Sequence, residues 1–213
     1  MKPSNLLLGL APWVLFSMIA EHLGTGAVGY AALAACLGSL ALAVRGAVTG
    51  GLGLVDGAGV VTFGALAAIG LTGGHHVQQF LVDYGRGGAA VLLGTIMLVS
   101  AYTVPFTEQY ARPAIDRRYW GSPAFRAANR RISLLWAGVV FAMAACHLVE
   151  GALGAGNLVL NWILPILLIR IGFQRTKAMA GRSGVDGPRP GGAHPGEAGA
   201  DRAAAGGTTG DRS

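Results

Sequence analysis

Charge is what this chain has least of. Only 12% of its 213 residues are Asp, Glu, Lys or Arg, against roughly 25% for an ordinary soluble domain. Cysteine is nearly absent too. Cys36 and Cys146 stand alone, with no CxxC or CxxH spacing, so zinc-ribbon and dithiol redox chemistry have no motif here. The glycines at 50, 51 and 53 are not followed by Lys-Ser/Thr, which excludes a phosphate-binding P-loop. There is no GxSxG nucleophile elbow and no HExxH metalloprotease pattern.

What fills the chain instead is apolar. Hydrophobic residues make up 53%, and the mean hydropathy is +0.52. A soluble fold of this size has too little interior to hide that surface. The composition implies an integral membrane protein. The net charge of +6 then asks for a membrane explanation before a nucleic-acid one.

Uncharged runs bounded by charged residues cover 3–20, 23–44, 57–82, 87–107, 132–149 and 151–169. A spanning helix needs roughly 20 apolar residues. The expectation is an all-α, polytopic protein of six transmembrane helices. In hydrocarbon only helices or closed barrels satisfy the backbone, and these runs are of helical length. A six-helix domain is expected over 1–176, with a basic loop at 106–131. The Gly, Ala, Pro and Arg-rich segment 177–213 has almost no apolar bulk and is expected to be a disordered tail.

Six arginines crowd one connection: Arg112, Arg117, Arg118, Arg126, Arg130 and Arg131. Lys and Arg accumulate in cytoplasmic loops. With the N-terminus inside and six crossings, every basic residue but Arg86 falls on the cytoplasmic side. The expected topology is therefore N-in, C-in. Within the loop, Ser122 suits a helix N-cap and Pro123 the first helical position. Phe125, Ala128 and Ile132 then share one face and Arg126 and Arg130 another, giving a basic amphipathic start to the fifth span. Glu108 and Arg112 stand at i, i+4 and are expected to pair if the helix continues there. The loop reads as topology signal and anionic-lipid contact, or as a docking surface for a partner. It carries no nucleic-acid motif and no interleaved set of stacking aromatics.

The same topology gathers His22, His75, His76 and His147 toward the opposite face, with Glu21, Asp83 and Glu150. His147 and Glu150 are three apart and share a helix face. Two readings compete. Polar residues are tolerated at membrane interfaces; alternatively, His22, His75, His76, His147 and Glu150 ligate a metal, relay protons or hold a haem. Pro12 and Pro165 are expected to kink the first and last spans. GxxxG spacings at Gly53/Gly57 and Gly70/Gly74 favour close packing.

The opening "LAPWVLFSMIAEHLGTGAVGYAALAACLGSLALAVR", the later "PFTEQYA", then "AFRAANRRISLLWAGVVFAMAACHL" with Asn129 ahead of Trp136, and "NLVLNW" at the last span follow one another in order. This order resembles the bacterial intracellular septation protein A (YciB-like) family over residues 5–175. The chain departs from it in its Gly/Ala-rich spans and long polar tail. The resemblance implies a multi-pass protein of the bacterial inner membrane, non-enzymatic and without catalytic residues or cofactor, supporting envelope maintenance or septation. The partners expected are anionic lipid headgroups, envelope or division membrane proteins and a second copy of the chain, with no nucleic acid. A small transporter or proton- or metal-handling protein is the alternative.

Overall fold

The computed structural model describes residues 3–49, 53–112, 115–154 and 157–182. Among them there is no strand. The helices are α1 (Pro3–Leu23), α2 (Val28–Thr49), α3 (Leu54–Thr72), α4 (His75–Tyr102), α5 (Thr107–Ala111), α6 (Pro123–Leu153) and α7 (Leu164–Arg182). The fold is all-α. Four helical segments, Thr25–Val48, Leu54–Thr72, His75–Tyr102 and Pro123–Leu153, are long and apolar enough to cross a membrane. Helix α1 contributes the shorter apolar stretch Leu8–Ala20.

The six long helices follow the order expected from the apolar runs, but their boundaries differ in one instructive place. The run 57–82 is divided by Gly73 and Gly74, where α3 stops and α4 starts. Asp83 and Arg86, expected to lie outside the membrane, sit within α4. Charge marks loops only when the charge has no partner inside the bundle, and Arg86 has one. Helix α7 also runs on to Arg182, past the boundary expected at 176. The remainder of the expected tail, from 183, lies outside the described residues.

Successive long helices pack against each other, the heaviest pairings being α4 with α6 and α2 with α3. The chain reverses between each successive pair, so these neighbours run antiparallel. One end of the bundle therefore carries the start of α1, the end of α2, the start of α3, α5, the start of α6 and the end of α7. This arginine end faces away from the histidine end, where α1 meets α2, α3 meets α4 and α6 meets the last helix.

Small residues let the helices approach. A Cβ on Gly29 would lie 2.8 Å from the Gly70 backbone carbon, and one on Gly70 would lie 2.8 Å from Gly29 Cα. Any side chain there would force α2 and α3 apart. The core between α1, α2 and α3 is correspondingly alanine-rich, with Ala31, Ala32 and Ala35 buried around Phe16 and Phe63. Large apolar side chains point outward instead: Leu37, Val61, Val99 and Ile166 are each more than half exposed. So much exposed apolar surface is the mark of a lipid-facing shell.

The arginine end is closed by α5. Gln109 Oε1 accepts from Leu54 N–H at 3.1 Å and so caps α3. The Thr107 hydroxyl donates to Asn129 O at 2.9 Å and lies 3.0 Å from Ser133 Oγ. Phe106 is buried beneath it. The "PFTEQYA" segment is thus a plug over the bundle. Tyr110, on that plug, has its phenol pushed up to about 12 by burial first and by the nearby Asp56 charge second.

The last helix is preceded by a π-helical turn over Val159–Ile163. Leu164 N–H reaches back five residues to Val159 O. Pro165 follows at once; it has no N–H to give Asn161 O, and its ring crowds that carbonyl. Pro165, expected to kink the last helix, stands just after this widened turn.

Candidate functional site

Two sites emerge, one at each end of the bundle. At the histidine end, Arg86 on α4 donates from Nη2 to Glu150 Oε2 on α6 at 3.0 Å. Their side chains are 7% and 9% exposed. An ion pair this well hidden is costly to desolvate, and each charge is tolerated there only because the other meets it. Arg86 stands about 16 Å along α4 from His75, at 1.5 Å per residue. Glu150 is in the last turn of α6. The pair meets because small residues bring the two helices together here. A Cβ on Gly151 would run into the Asp83 carbonyl, so α6 lies directly on the α4 backbone at this level.

His147, one turn before Glu150, is buried beside the pair, and Asn161, on the π-helical turn, is buried too. Together Arg86, His147 and Asn161 line the polar end of a cavity of about 170 Å³. The rest of its wall is apolar and aromatic: Trp13 and Phe16 from α1, Leu93 and Met97 from α4, Trp136 and Val140 from α6. Trp136 is fixed by donating to Thr176 Oγ1 at 3.2 Å and by an edge-on contact with Phe173 at 5.0 Å. The cavity is a cleft. Its floor is the tightly joined α4 and α6, while α1 and α7 form opposite walls without packing along each other. Val14 and Ile166, on those walls, line the cleft and yet are 47% and 58% exposed, which places its rim at the lipid-facing surface.

The other expected histidine-end residues do not join this site. His22 is exposed on α1, its Nδ1 2.8 Å from Met18 O. His75 and His76 are exposed at the start of α4. Among the described residues no three His, Cys, Asp or Glu side chains come together as a metal site. Cys36 and Cys146 are both free thiols, and Cys36 Sγ lies 3.5 Å from Val60 O. Sequence reasoning paired His147 with Glu150 correctly along one helix. It missed Arg86 and Asn161. A lone arginine set between Gly85 and Gly87, inside 28 helical residues, was the signal available for the first.

At the arginine end the six loop arginines divide into two sets. Arg112 donates to the buried Glu108 at 3.2 Å, the expected i, i+4 pair, formed within and just beyond the short α5 and not on an extended fourth span. Arg112 and Arg117 both lie over the Trp120 ring, at 5.2 and 5.9 Å. Arg118 pairs with Asp116 at 3.4 Å and stacks on Tyr119 at 4.8 Å. The loop aromatics are thus occupied by the loop's own arginines. The second set is on α6, whose start is capped as expected by the Ser122 hydroxyl accepting from Phe125 N–H at 3.2 Å. Phe125 and Ile132 are buried and Arg126, Arg130 and Arg131 exposed, so the amphipathic face is real. Arg126, Arg130 and Arg131 line an open groove with Tyr102, Thr103 and Pro105. Arg130 lies over the Tyr102 ring at 4.6 Å.

Comparison with known proteins finds no matching family, no curated relative and no solved structure of similar fold.

Proposed function

We propose that this chain is a non-enzymatic, multi-pass membrane protein that holds a small amphiphile in the cleft between α1 and α7. The observation that carries the reading is the buried Arg86–Glu150 pair at the head of an apolar cleft whose rim reaches the lipid-facing surface. Arg86 and Glu150 neutralise each other, so a further full charge would have no counterion among them. A neutral head that hydrogen-bonds, such as a hydroxyl or ester, suits Arg86, His147 and Asn161 best. The apolar body would lie along Leu93, Met97, Trp136 and Val140. The cavity takes only part of a lipid chain, and the rest leaves between Val14 and Ile166 into the bilayer.

This reading takes the chain as six spans with N-in, C-in topology in a bacterial inner membrane. Withdrawing Arg86 from the loops into an ion pair supports it, because the one basic residue on the wrong side no longer counts as a loop charge. Holding an envelope lipid would also serve the envelope or septation role that the resemblance implies.

The test is photo-crosslinking. A photoreactive diacylglycerol is incorporated with the full chain in phosphatidylcholine nanodiscs. Adducts should map to α1, α4, α6 and α7 residues of the cleft. Ala90→Trp, which fills it, should lower labelling about tenfold, the equivalent of losing roughly 1.4 kcal/mol. Equal labelling of the filled variant, or adducts only on the outward faces of α2 and α3, would sink the proposal.

A further inference from the structure

We infer that the groove formed by Arg126, Arg130, Arg131 and Tyr102 is a specific site for a lipid whose headgroup carries two phosphates. It lies toward the other end of the bundle from the Arg86–Glu150 pair, about 24 Å along α4 from Arg86, counting 1.5 Å per residue to Tyr102, and does not depend on the amphiphile reading.

Three observations converge. First, the structure separates these arginines from the rest of the loop. Arg112 and Arg118 have carboxylate partners, and Arg117 lies over Trp120 and does not line the groove. Among the described residues Arg126, Arg130 and Arg131 have no carboxylate within ion-pair distance. Three guanidinium groups on two adjoining turns of α6 therefore present a local charge of +3. One phosphodiester supplies a single negative charge and two supply a pair, so a two-phosphate head matches the cluster better. Second, the groove is shaped, not flat. Its floor is the buried Ala101 and Pro105, and Tyr102 holds the Arg130 guanidinium over its ring, which lowers the ordering cost of binding. Third, the groove sits where α4 ends and α6 begins, the level at which these helices leave the hydrocarbon. One to two turns deeper, Leu98 and Val99 on α4 are exposed, as is Gly138 on α6, with Leu134 half-buried between them. This apolar strip continues from the groove and would take the acyl chains. A soluble anion would leave it bare, and that favours a lipid.

The experiment uses the full chain in phosphatidylcholine nanodiscs containing a minor fraction of cardiolipin, or phosphatidylglycerol matched in total charge. Lipid retained by the protein is read by native mass spectrometry after release. Cardiolipin should be retained in preference to phosphatidylglycerol. R126Q/R131Q should lower its association about thirtyfold, on the additive worth of basic residues at an anionic surface. R117Q/R118Q removes the same charge from the same loop and should leave retention unchanged. R126K/R131K, which keeps the charge and loses the planar fork, should fall between. Both altered arginines of the groove pair are exposed, and far-ultraviolet circular dichroism checks that the helices persist. Equal loss in the two Gln pairs would reduce the groove to a diffuse charge effect and overturn the proposal. So would an absence of preference between the two lipids. Displacement of cardiolipin by soluble pyrophosphate would assign the groove to a free phosphate ligand and overturn its lipid occupant.

Discussion

Glu150→Gln leaves the Arg86 guanidinium where it is and takes away its counter-charge. Both side chains are at least nine-tenths buried. The attraction lost is that of a 3.0 Å charge-assisted hydrogen bond. The larger effect is the stranded charge. Breaking a buried pair from one side costs about 3–5 kcal/mol, because the remaining ion keeps its desolvation penalty without compensation. Arg86→Met should cost a comparable amount from the other side. The double variant Arg86→Met/Glu150→Gln removes both charges and should be far milder than the sum of the two, by about 2 kcal/mol or more. Reversible unfolding in mixed micelles, followed by tryptophan fluorescence, measures all four corners of the cycle. Trp13, Trp136 and Trp162 line the adjoining cleft, so the signal reports on this region. Additivity to within about 0.5 kcal/mol would refute the reasoning, since it would mean the two groups do not act as a pair.

Two further outcomes are expected. Cysteine introduced at Gly74 or Gly154, both exposed at the histidine end, should be modified by an impermeant thiol reagent from outside intact cells. One introduced at Gly121 should be spared, and labelling there would reverse the proposed orientation. Tyr110 should make the protein sensitive to alkali. Its phenol ionises near 12 in the folded state against about 10 unfolded. The stabilisation from keeping it neutral is therefore complete below about pH 10 and is lost as pH rises toward 12. Thermal melts of Tyr110→Phe between those values should fall less steeply than those of the native chain; parallel curves would remove Tyr110 as the cause.

What could be read from the sequence was whatever depends on neighbours a few residues apart. Ser122 caps α6 by accepting from the N–H of Phe125, three residues on. Glu108 meets Arg112 one turn on, and His147 shares a face with Glu150. The apolar runs gave the all-α class and the order of the long helices, four of which hold segments long and apolar enough to cross a membrane. What could not be read depends on partners distant in sequence. Arg86 and Glu150 are 64 residues apart. Without that partner in view, Arg86 looked like a loop charge and drew the boundary of a span in the wrong place. The same limit hid the division among the loop arginines. Arg117 and Arg130 have the same side chain in the same loop, and only the fold puts one on Trp120 and the other beside a groove. Asn161 faces inward from a turn widened ahead of Pro165, and helical periodicity carries no sign of such a turn.

The separation of Arg86 from Glu150 also bears on how the protein is made. Helix α4 emerges and meets the membrane before α6 has been synthesised. At that stage it carries Asp83 and Arg86 without the carboxylate that later neutralises the arginine. A central arginine costs about 2.5–3.5 kcal/mol on insertion scales, and α4 is the least apolar of the four segments long enough to cross a membrane. Its commitment to the bilayer then waits on the arrival of α6, with the close seam at Gly151 and the carboxylate three residues from the end of that helix. The ion pair would in that sense be an assembly signal: it joins the two halves of the bundle only when both have been translated.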